Sequence, residues 1–152
     1  MKIGDKIPDL SLPATGGKDL RLPSFKGKTL VVYFYPKDNT PGCTQEGTDF
    51  RDLHKDFQKA GVQILGVSRD SLRSHENFSE KYKFTFPLLS DPDEVACKAF
   101  DVIKEKSLYG RKYMGVDRST FLFDAAGKLR REWHGVKVKG HAAEVLEAVK
   151  QL

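Results

Sequence analysis

Cysteine is scarce in this chain, which has only Cys43 and Cys97 among its 152 residues. Two thiols are too few for the disulfide framework that holds small secreted proteins together. They also form no C-x-x-C pair, because the residues three positions before and after Cys43 are Thr40 and Glu46. We therefore expect neither a disulfide scaffold nor a dithiol oxidoreductase, which would cycle through a local disulfide.

Long apolar segments and metal-binding patterns are lacking as well. No apolar run approaches the roughly 20 residues that span a bilayer, and the N-terminal residues lack the apolar centre of a signal peptide. We therefore expect a cytoplasmic protein without a membrane partner. The two separated cysteines and four scattered histidines show no ligand spacing. No metal or other cofactor is therefore expected.

The charge balance is only mildly basic, with 26 Lys and Arg against 21 Asp and Glu, or 26 − 21 = +5. A nucleic-acid surface would show a denser basic stripe with aromatic residues between the charges. The basic residues are spread along the chain instead, so a solvated surface explains them better and no nucleic-acid partner is expected. The chain has no repeat, linker or low-complexity tract. Residues 1–152 are therefore expected to form a single domain.

Hydrophobic periodicity predicts strands alternating with helices, which is typical of a layered α/β structure. Strands are expected at 30–35, 62–68 and 84–91, and β-hairpins at 9–22 and 120–133. Helices are expected from Cys43 to Ala60, after a cap at Asp70 or Ser71, from Pro92 to about Ile103, and over 139–152. The segment 104–117 is rich in Lys, Gly and Tyr and is expected to be a loop.

The turn before Cys43 is the most informative stretch. A buried strand ends at Tyr35, and Pro36, Pro41 and Gly42 then make a tight turn that delivers Cys43 into the first turn of a helix. Unpaired N–H groups and the helix dipole favour the thiolate there. A lone cysteine is, however, more often a small buried hydrophobic residue. Helix position alone therefore leaves both interpretations open.

The helical projection predicts in which direction the side chains of Cys43, Glu46 and Cys97 point. Cys43 lies about 20° from Phe50 around its helix, and Glu46 falls in the middle of the same inward stripe. An inward carboxylate needs a partner, for which an arginine is best suited. On the helix expected from Pro92, Cys97 lies about 60° outside the apolar arc. Cys97 is therefore expected to be at least partly accessible.

The residue sequence of this turn resembles the motif of a known family. Pro36, Thr40 and Cys43 form P-x-x-x-T-x-x-C, which resembles the active-site motif of peroxiredoxins. Five longer blocks are similar to the Q-type peroxiredoxins, also called the bacterioferritin comigratory protein family: Cys43–Glu46, Phe50–Asp52, Phe86–Asp91, Glu105–Gly110 and Gly115–Asp124. The resemblance covers essentially the whole chain. It implies a thioredoxin-like fold of the peroxiredoxin variant, with a central mixed sheet flanked by helices and an N-terminal β-hairpin.

The resemblance also implies an activity and a set of site residues. It implies a usually monomeric peroxidase that reduces hydrogen peroxide and organic hydroperoxides, with Cys43 attacking as thiolate and becoming a sulfenic acid. Thr40 would hold the peroxide, and Pro36 would shield the thiolate from water. Arg118 would stabilise the thiolate and the negative charge that develops on the leaving oxygen, and Glu46 would orient Arg118. Without the resemblance, Arg118 is one of 26 basic residues.

The chain departs from the family where the sulfenic acid is resolved. Many members carry a resolving cysteine where this chain has Thr48, and others carry it where this chain has Ser79. Two alternatives follow: Cys97 resolves the sulfenic acid, or the enzyme is a one-Cys type that thioredoxin, glutaredoxin or a small thiol reduces. The second is favoured. A non-catalytic binding module on the same fold is the alternative to an enzyme, because fold does not fix function.

Overall fold

A computed structural model describes every residue from Met1 to Leu152. Its strands are β1 (Ser11–Ala14), β2 (Lys18–Arg21), β3 (Thr29–Phe34), β4 (Val62–Ser68), β5 (Leu88–Ser90), β6 (Ile103–Leu108), β7 (Arg111–Val116), β8 (Ser119–Phe123) and β9 (Leu129–Trp133). Its α-helices are α1 (Pro41–Lys59), α2 (Leu72–Tyr82), α3 (Val95–Ala99) and α4 (His141–Lys150). A short 3-10 helix, Leu22–Phe25, follows β2.

Seven strands form one mixed sheet in the order β2-β1-β5-β4-β3-β8-β9. The central strands β3, β4 and β5 are parallel, whereas β8 pairs antiparallel with β3 and β1 pairs antiparallel with β5. The parallel pairs need crossover connections, which α1 and α2 supply. The sequence prediction of a central mixed sheet with an N-terminal hairpin is confirmed.

Strand β3 divides the interior into two cores because its side chains alternate between the faces of the sheet. Leu30, Val32 and Phe34 belong to the same core as Cys97, on what we call the Cys97 face. Val31, Tyr33 and Tyr35 belong to the same core as Cys43, on the Cys43 face. Both sets are buried. The continuous apolar run therefore reflects a central strand that is covered on both sides.

The helices are distributed unequally over the two faces. Phe50 and Phe57 of α1, Phe78 of α2 and Val145 of α4 pack into the core of the Cys43 face. The Cys97 face is covered by α3 and by the residues that follow it, including Phe100. Helix α1 thus sits directly on the sheet, with the ring of Phe50 stacked on that of Tyr33 at 4.7 Å between centroids.

Most of the predicted elements are confirmed within a few residues. The β1–β2 and β8–β9 hairpins, strands β3 and β4, and helices α1 and α4 occur where periodicity predicted them. Of the two proposed caps for α2, Ser71 is the one observed, since its hydroxyl accepts a hydrogen bond from the Ser74 amide. The local signals in the sequence were therefore sufficient for the central framework.

The prediction of a loop over 104–117 is wrong. Strands β6 and β7 pair antiparallel in full register, from Ile103 with Val116 to Leu108 with Arg111, and form a separate two-stranded sheet. Tyr109 and Gly110 both have positive φ, at 51° and 77°, as a two-residue hairpin turn of type I′ requires. Because the hairpin is largely exposed on both faces, it lacks the apolar alternation by which strands are predicted.

The predicted accessibility of Cys97 is also wrong, since its side chain is buried with 0% exposure. The prediction assumed a helix starting at Pro92, whereas α3 starts only at Val95, after Glu94 adopts a left-handed φ of 60°. The helix also ends at Ala99, before Asp101 with its left-handed φ of 52°, so Val102 and Ile103 do not follow the helical period that the projection assumed. Within this shorter helix the buried side carries Ala96 and Cys97, whereas Val95 is 52% exposed.

No helix of the protein combines the length and the apolar character that crossing a membrane would require.

Candidate active site

The site is built where β3 leads into α1. Thr40 is the N-cap residue of α1 and has an extended backbone, with φ −85° and ψ 153°, and Pro41 occupies the first helical position. The first intrahelical hydrogen bond runs from the Thr44 amide to the Thr40 carbonyl, at 2.9 Å. The amides of Gly42 and Cys43 precede that bond and have no backbone acceptor. They therefore give the start of the helix two free donors and its positive dipole end.

Cys43 is 2% exposed and is accompanied by a cation. The Arg118 Nη2 atom donates a hydrogen bond to Cys43 Sγ at 3.5 Å. Arg118 comes from the segment between β7 and β8, 75 positions further along the chain. Gly42 leaves room for this approach, because a Cβ atom there would lie 3.1 Å from Arg118 Nη2. The guanidinium and the helix start thus both present positive charge to Cys43.

Glu46 lies on the other side of the guanidinium. Its Oε1 atom accepts a hydrogen bond from Arg118 Nη1 at 2.7 Å, and its side chain is 1% exposed. Burial raises the pKa of Glu46 to about 7, against the lowering influence of Arg118. Burial lowers the pKa of Arg118, but the interactions with Glu46 and Cys43 raise it by more. The pKa of Arg118 therefore lies above its ordinary value. The expectation that an inward Glu46 pairs with an arginine is confirmed.

Thr40 and Pro36 complete the turn around the thiol. The Thr40 hydroxyl donates to the Lys37 carbonyl at 2.8 Å and makes no hydrogen bond to the helix amides. Because its proton is used in this way, the hydroxyl can still accept a hydrogen bond from a bound ligand. Pro36 directly follows the buried Tyr35 and is half-buried. All five expected site residues thus belong to one turn or touch it through Arg118.

This arrangement is suited to nucleophilic attack by sulfur. A buried thiol at a helix start, with a fixed guanidinium at its side, can react as thiolate on an electrophilic atom. The same guanidinium can stabilise negative charge that develops on the departing group, because it is oriented before the reaction by a buried carboxylate.

Comparison with known proteins decides which family uses this arrangement. The model of the AhpC/TSA family matches residues 3–132. The chain is 56% identical over 142 residues to Peroxiredoxin Bcp of Xanthomonas campestris, covering 93% of this chain and 89% of the relative. It is 49% identical over 152 residues to Peroxiredoxin Bcp of Bacillus subtilis, covering 100% and 97%.

The chain belongs to the AhpC/TSA family, and within it to the Q-type peroxiredoxins. It is therefore a thiol peroxidase, and the non-catalytic alternative is not favoured. Solved structures agree with the fold. The chain superposes with a TM-score of 0.95 on a PrxQ variant of Xylella fastidiosa, at 46% identity and with coverage of 99% of this chain and 96% of the other. The thioredoxin-like peroxiredoxin fold is confirmed.

A second structural relative carries information on substrate. The TM-score is 0.90 with the bacterioferritin comigratory protein of Xanthomonas campestris, at 55% identity and with coverage of 93% and 90%. That structure was determined to give insights into the alkyl peroxide reduction activity of the Xanthomonas protein, from trapped intermediate and ligand complexes.

The second thiol of this peroxiredoxin is remote from the site. Cys97 lies in the core of the Cys97 face, whereas Cys43 lies in the core of the Cys43 face, so the central sheet separates them. The Cys97 amide donates to Asp91 Oδ2 at 2.8 Å. Burial, with a further contribution from Asp91, raises the pKa of the Cys97 thiol. Cys97 therefore has the environment of an unreactive thiol.

Sequence reasoning missed two residues near the site of this peroxiredoxin. Gly42, which admits the guanidinium, was assigned only to the turn. Lys106 of β6 is half-buried, and its charge interacts with those of Asp117, Arg118 and Cys43; burial is the main cause that lowers its pKa. No signal could have identified Lys106, because it lies in the segment that was predicted as a loop.

Proposed function

We propose that Cys43 is the peroxidatic nucleophile of this enzyme and that Arg118 is its electrostatic partner. The observation that carries the proposal is the Arg118 guanidinium, which bridges Cys43 Sγ at 3.5 Å and the buried Glu46 carboxylate at 2.7 Å. The Cys43 thiolate attacks one peroxide oxygen and the O–O bond breaks. Cys43 becomes a sulfenic acid, and the second oxygen leaves as hydroxide or alkoxide and takes up a proton.

The other three residues act on binding and orientation. Thr40 accepts a hydrogen bond from the peroxide O–H through its hydroxyl, which already donates to the Lys37 carbonyl. Pro36 covers the thiolate against bulk water. Glu46 fixes the guanidinium so that it faces the sulfur and the departing oxygen without reorganisation during the reaction.

We propose hydrogen peroxide and organic hydroperoxides as substrates. The alkyl peroxide reduction activity named for the related Xanthomonas campestris protein supports the second class. In the second half of the cycle an external thiol attacks the Cys43 sulfenic acid and releases water, and another thiol frees Cys43 from the mixed disulfide. Thioredoxin, glutaredoxin or a small thiol can play this role. The separation of Cys97 from Cys43 by the sheet favours this one-Cys cycle.

We propose that residues 1–152 act as one domain, since a single seven-stranded sheet runs through them. We also propose a monomeric, cytoplasmic enzyme without a nucleic-acid partner.

A peroxide consumption assay tests this function. We expect the purified protein to consume hydrogen peroxide and cumene hydroperoxide when dithiothreitol is the reductant. The thioredoxin and glutaredoxin systems are then compared at equal thiol concentration, which identifies the reductant class. If neither peroxide is consumed with any reductant while Cys43 is fully reduced, the proposed function is wrong.

A further inference from the structure

A buried polar network lies directly behind the active-site turn and has no role in the chemistry described so far. Its centre is Asp38, two residues before Thr40, with 2% of its side chain exposed. Asp38 Oδ1 accepts a hydrogen bond from the Tyr35 hydroxyl at 2.7 Å. Asp38 Oδ2 accepts one from the Ser74 hydroxyl at 2.8 Å. Asp38 Oδ2 also lies 2.7 Å from His75 Nδ1. Three groups therefore converge on one buried carboxyl group.

The ring of His75 is buried with 0% exposure, and each of its nitrogens faces an acceptor. Its Nε2 atom lies 2.9 Å from the Leu89 carbonyl oxygen. Because a carbonyl oxygen cannot donate, Nε2 must carry a proton. A second proton then lies between Nδ1 and Asp38 Oδ2. Asp38 and His75 thus form a proton-sharing pair that joins the active-site turn to α2 and, through Leu89, to β5.

The backbone of the turn is held at the same place. The Asp38 amide donates to Asp70 Oδ2 at 3.0 Å, and the Ser68 hydroxyl donates to the same carboxylate. Asn39, the next residue, has a left-handed φ of 62°. Asparagine adopts this conformation more readily than most other non-glycine residues, so the turn suits the local sequence. Since Asn39 connects Asp38 to Thr40, fixing Asp38 also fixes the position of the Thr40 hydroxyl.

The same groups have the spacing of a small metal site, since ligand atoms of Asp38, Asp70 and His75 lie within 4.8 Å of one another. Both oxygens of Asp38 and both nitrogens of His75 are, however, engaged within the protein. The hydrogen bonds account for the cluster without an ion.

We propose that Asp38 and His75 are positioning residues for peroxide reduction: their buried pair anchors the turn from Pro36 to Thr40 to helix α2 and so holds the Thr40 hydroxyl in register with Cys43. This inference rests on the proposed function. The pair does not touch Cys43, whose sulfur is contacted by Arg118 at the start of α1. Loss of the pair should therefore impair reaction with peroxide, which needs Thr40, more than reaction with a reagent that needs only the thiolate.

The test compares two second-order rate constants of Cys43 in the full-length protein. One is oxidation by hydrogen peroxide, and the other is alkylation by iodoacetamide at the same pH. We expect His75→Asn and Asp38→Ala to slow oxidation about 10- to 100-fold, as for a displaced catalytic group, and to leave alkylation unchanged. Asp38→Asn should slow oxidation less than Asp38→Ala does, because the asparagine amide can donate a hydrogen bond to His75 Nδ1. The double variant Asp38→Ala/His75→Asn should be no slower than the slower single variant.

His54→Asn is the matched control. His54 is also a buried histidine with one side-chain hydrogen bond, to Thr85, but it lies in the middle of α1 and not beside the turn. We expect its oxidation rate to equal that of the native protein. If His75→Asn or Asp38→Ala fails to fold, Tyr35→Phe and Ser74→Ala, which each remove one hydrogen bond to Asp38, carry the same comparison.

The outcomes separate this inference from the proposed function. If peroxide does not oxidise Cys43 in the native protein, the proposed function is wrong. If the native protein is oxidised and the folded network variants are oxidised equally fast, the positioning role alone is overturned. The positioning role is also overturned if oxidation and alkylation fall in parallel, since the pair would then act on the thiolate itself.

Discussion

The two thiols of this protein lie on opposite faces of one sheet and are equally hidden from solvent, with 2% of Cys43 and 0% of Cys97 exposed. Their neighbours differ in charge. Cys43 lies in the first turn of a 19-residue helix and receives a hydrogen bond from Arg118. Cys97 belongs to a five-residue helix and lies beside the buried carboxyl group of Asp91. Exposure therefore does not distinguish Cys43, the proposed nucleophile, from Cys97, whereas the sign of the neighbouring charge does.

The largest expected effect is the loss of all turnover when the thiol of the Cys43 face is removed. Cys43→Ser should abolish peroxide consumption with dithiothreitol as reductant, because a hydroxyl does not replace the thiolate as nucleophile. Cys97→Ser is the control and should keep the native rate. If Cys43→Ser retained most of the native activity, Cys43 would not be the nucleophile and the contrast between the two thiols would be wrong.

The next effect concerns the product of oxidation. After one equivalent of peroxide without reductant, intact-mass and peptide analysis should find sulfenic or sulfinic Cys43 and a free Cys97 thiol. A disulfide needs Cα atoms within about 7 Å, and the two side chains belong to cores on opposite sides of the sheet. A dominant link between Cys43 and Cys97 would contradict the one-Cys cycle.

A cysteine on the same side of the sheet sharpens this test. Ser79 is carried by α2, which packs on the Cys43 face through Phe78, and the family resemblance places the resolving cysteine of other members at this position. In Ser79→Cys, peroxide should produce an intramolecular disulfide with Cys43 after local unwinding of α2. Persistent sulfenic acid in this variant would mean that the face of the sheet is not what decides the pairing.

Removing the cation beside Cys43 should have a smaller but still large effect. Arg118→Met should slow oxidation of Cys43 by peroxide about 100- to 1,000-fold, as for other lost transition-state donors. Arg69→Met is the matched control, because Arg69 pairs with Glu94 at 3.0 Å on the side of Cys97. Stopped-flow measurements of the two variants should differ strongly. Equal rates would remove Arg118 from the site.

The smallest expected effect is the stability cost of the carboxylate beside Cys43. Burial raises the pKa of Glu46 from 4.5 to about 7. Below pH 4.5 the carboxyl group is protonated in both the folded and the unfolded protein. As the pH rises to about 7, only the unfolded protein ionises readily, so stability is lost over this window.

The free energy of unfolding, measured by urea titration, should therefore fall relative to that of Glu46→Gln by about 3 kcal/mol between pH 4.5 and pH 7. Parallel curves for the two proteins would show that Glu46 is already ionised at low pH in the folded state. Cys97→Ser should give curves parallel to the native ones, because this variant keeps the Glu46 carboxyl group and the burial that raises its pKa.

Local signals in the sequence were sufficient to predict strand β3, helix α1 and the placement of Cys43 and Glu46 on that helix. Periodicity gave the buried strand β3 and helix α1, and the prolines and Gly42 determined that Cys43 falls in the first helical turn. The inward direction of Glu46 followed from the same helical spacing. These features depend on residues within about two turns of one another, where backbone geometry alone sets which side chains share a face.

Only the tertiary structure decided which side chains contact Cys43, Glu46 and Asp38. Arg118 is 75 positions from Cys43 and 72 from Glu46, and His75 is 37 positions from Asp38. No local period connects such residues; they meet because β8 pairs with β3 and because α2 packs on the Cys43 face. The burial of Cys97 was also decided by the tertiary structure. Helix α3 spans only Val95–Ala99, between the left-handed residues Glu94 and Asp101, so the longer helical period expected from the sequence does not apply and the thiol lies in the core of the opposite face.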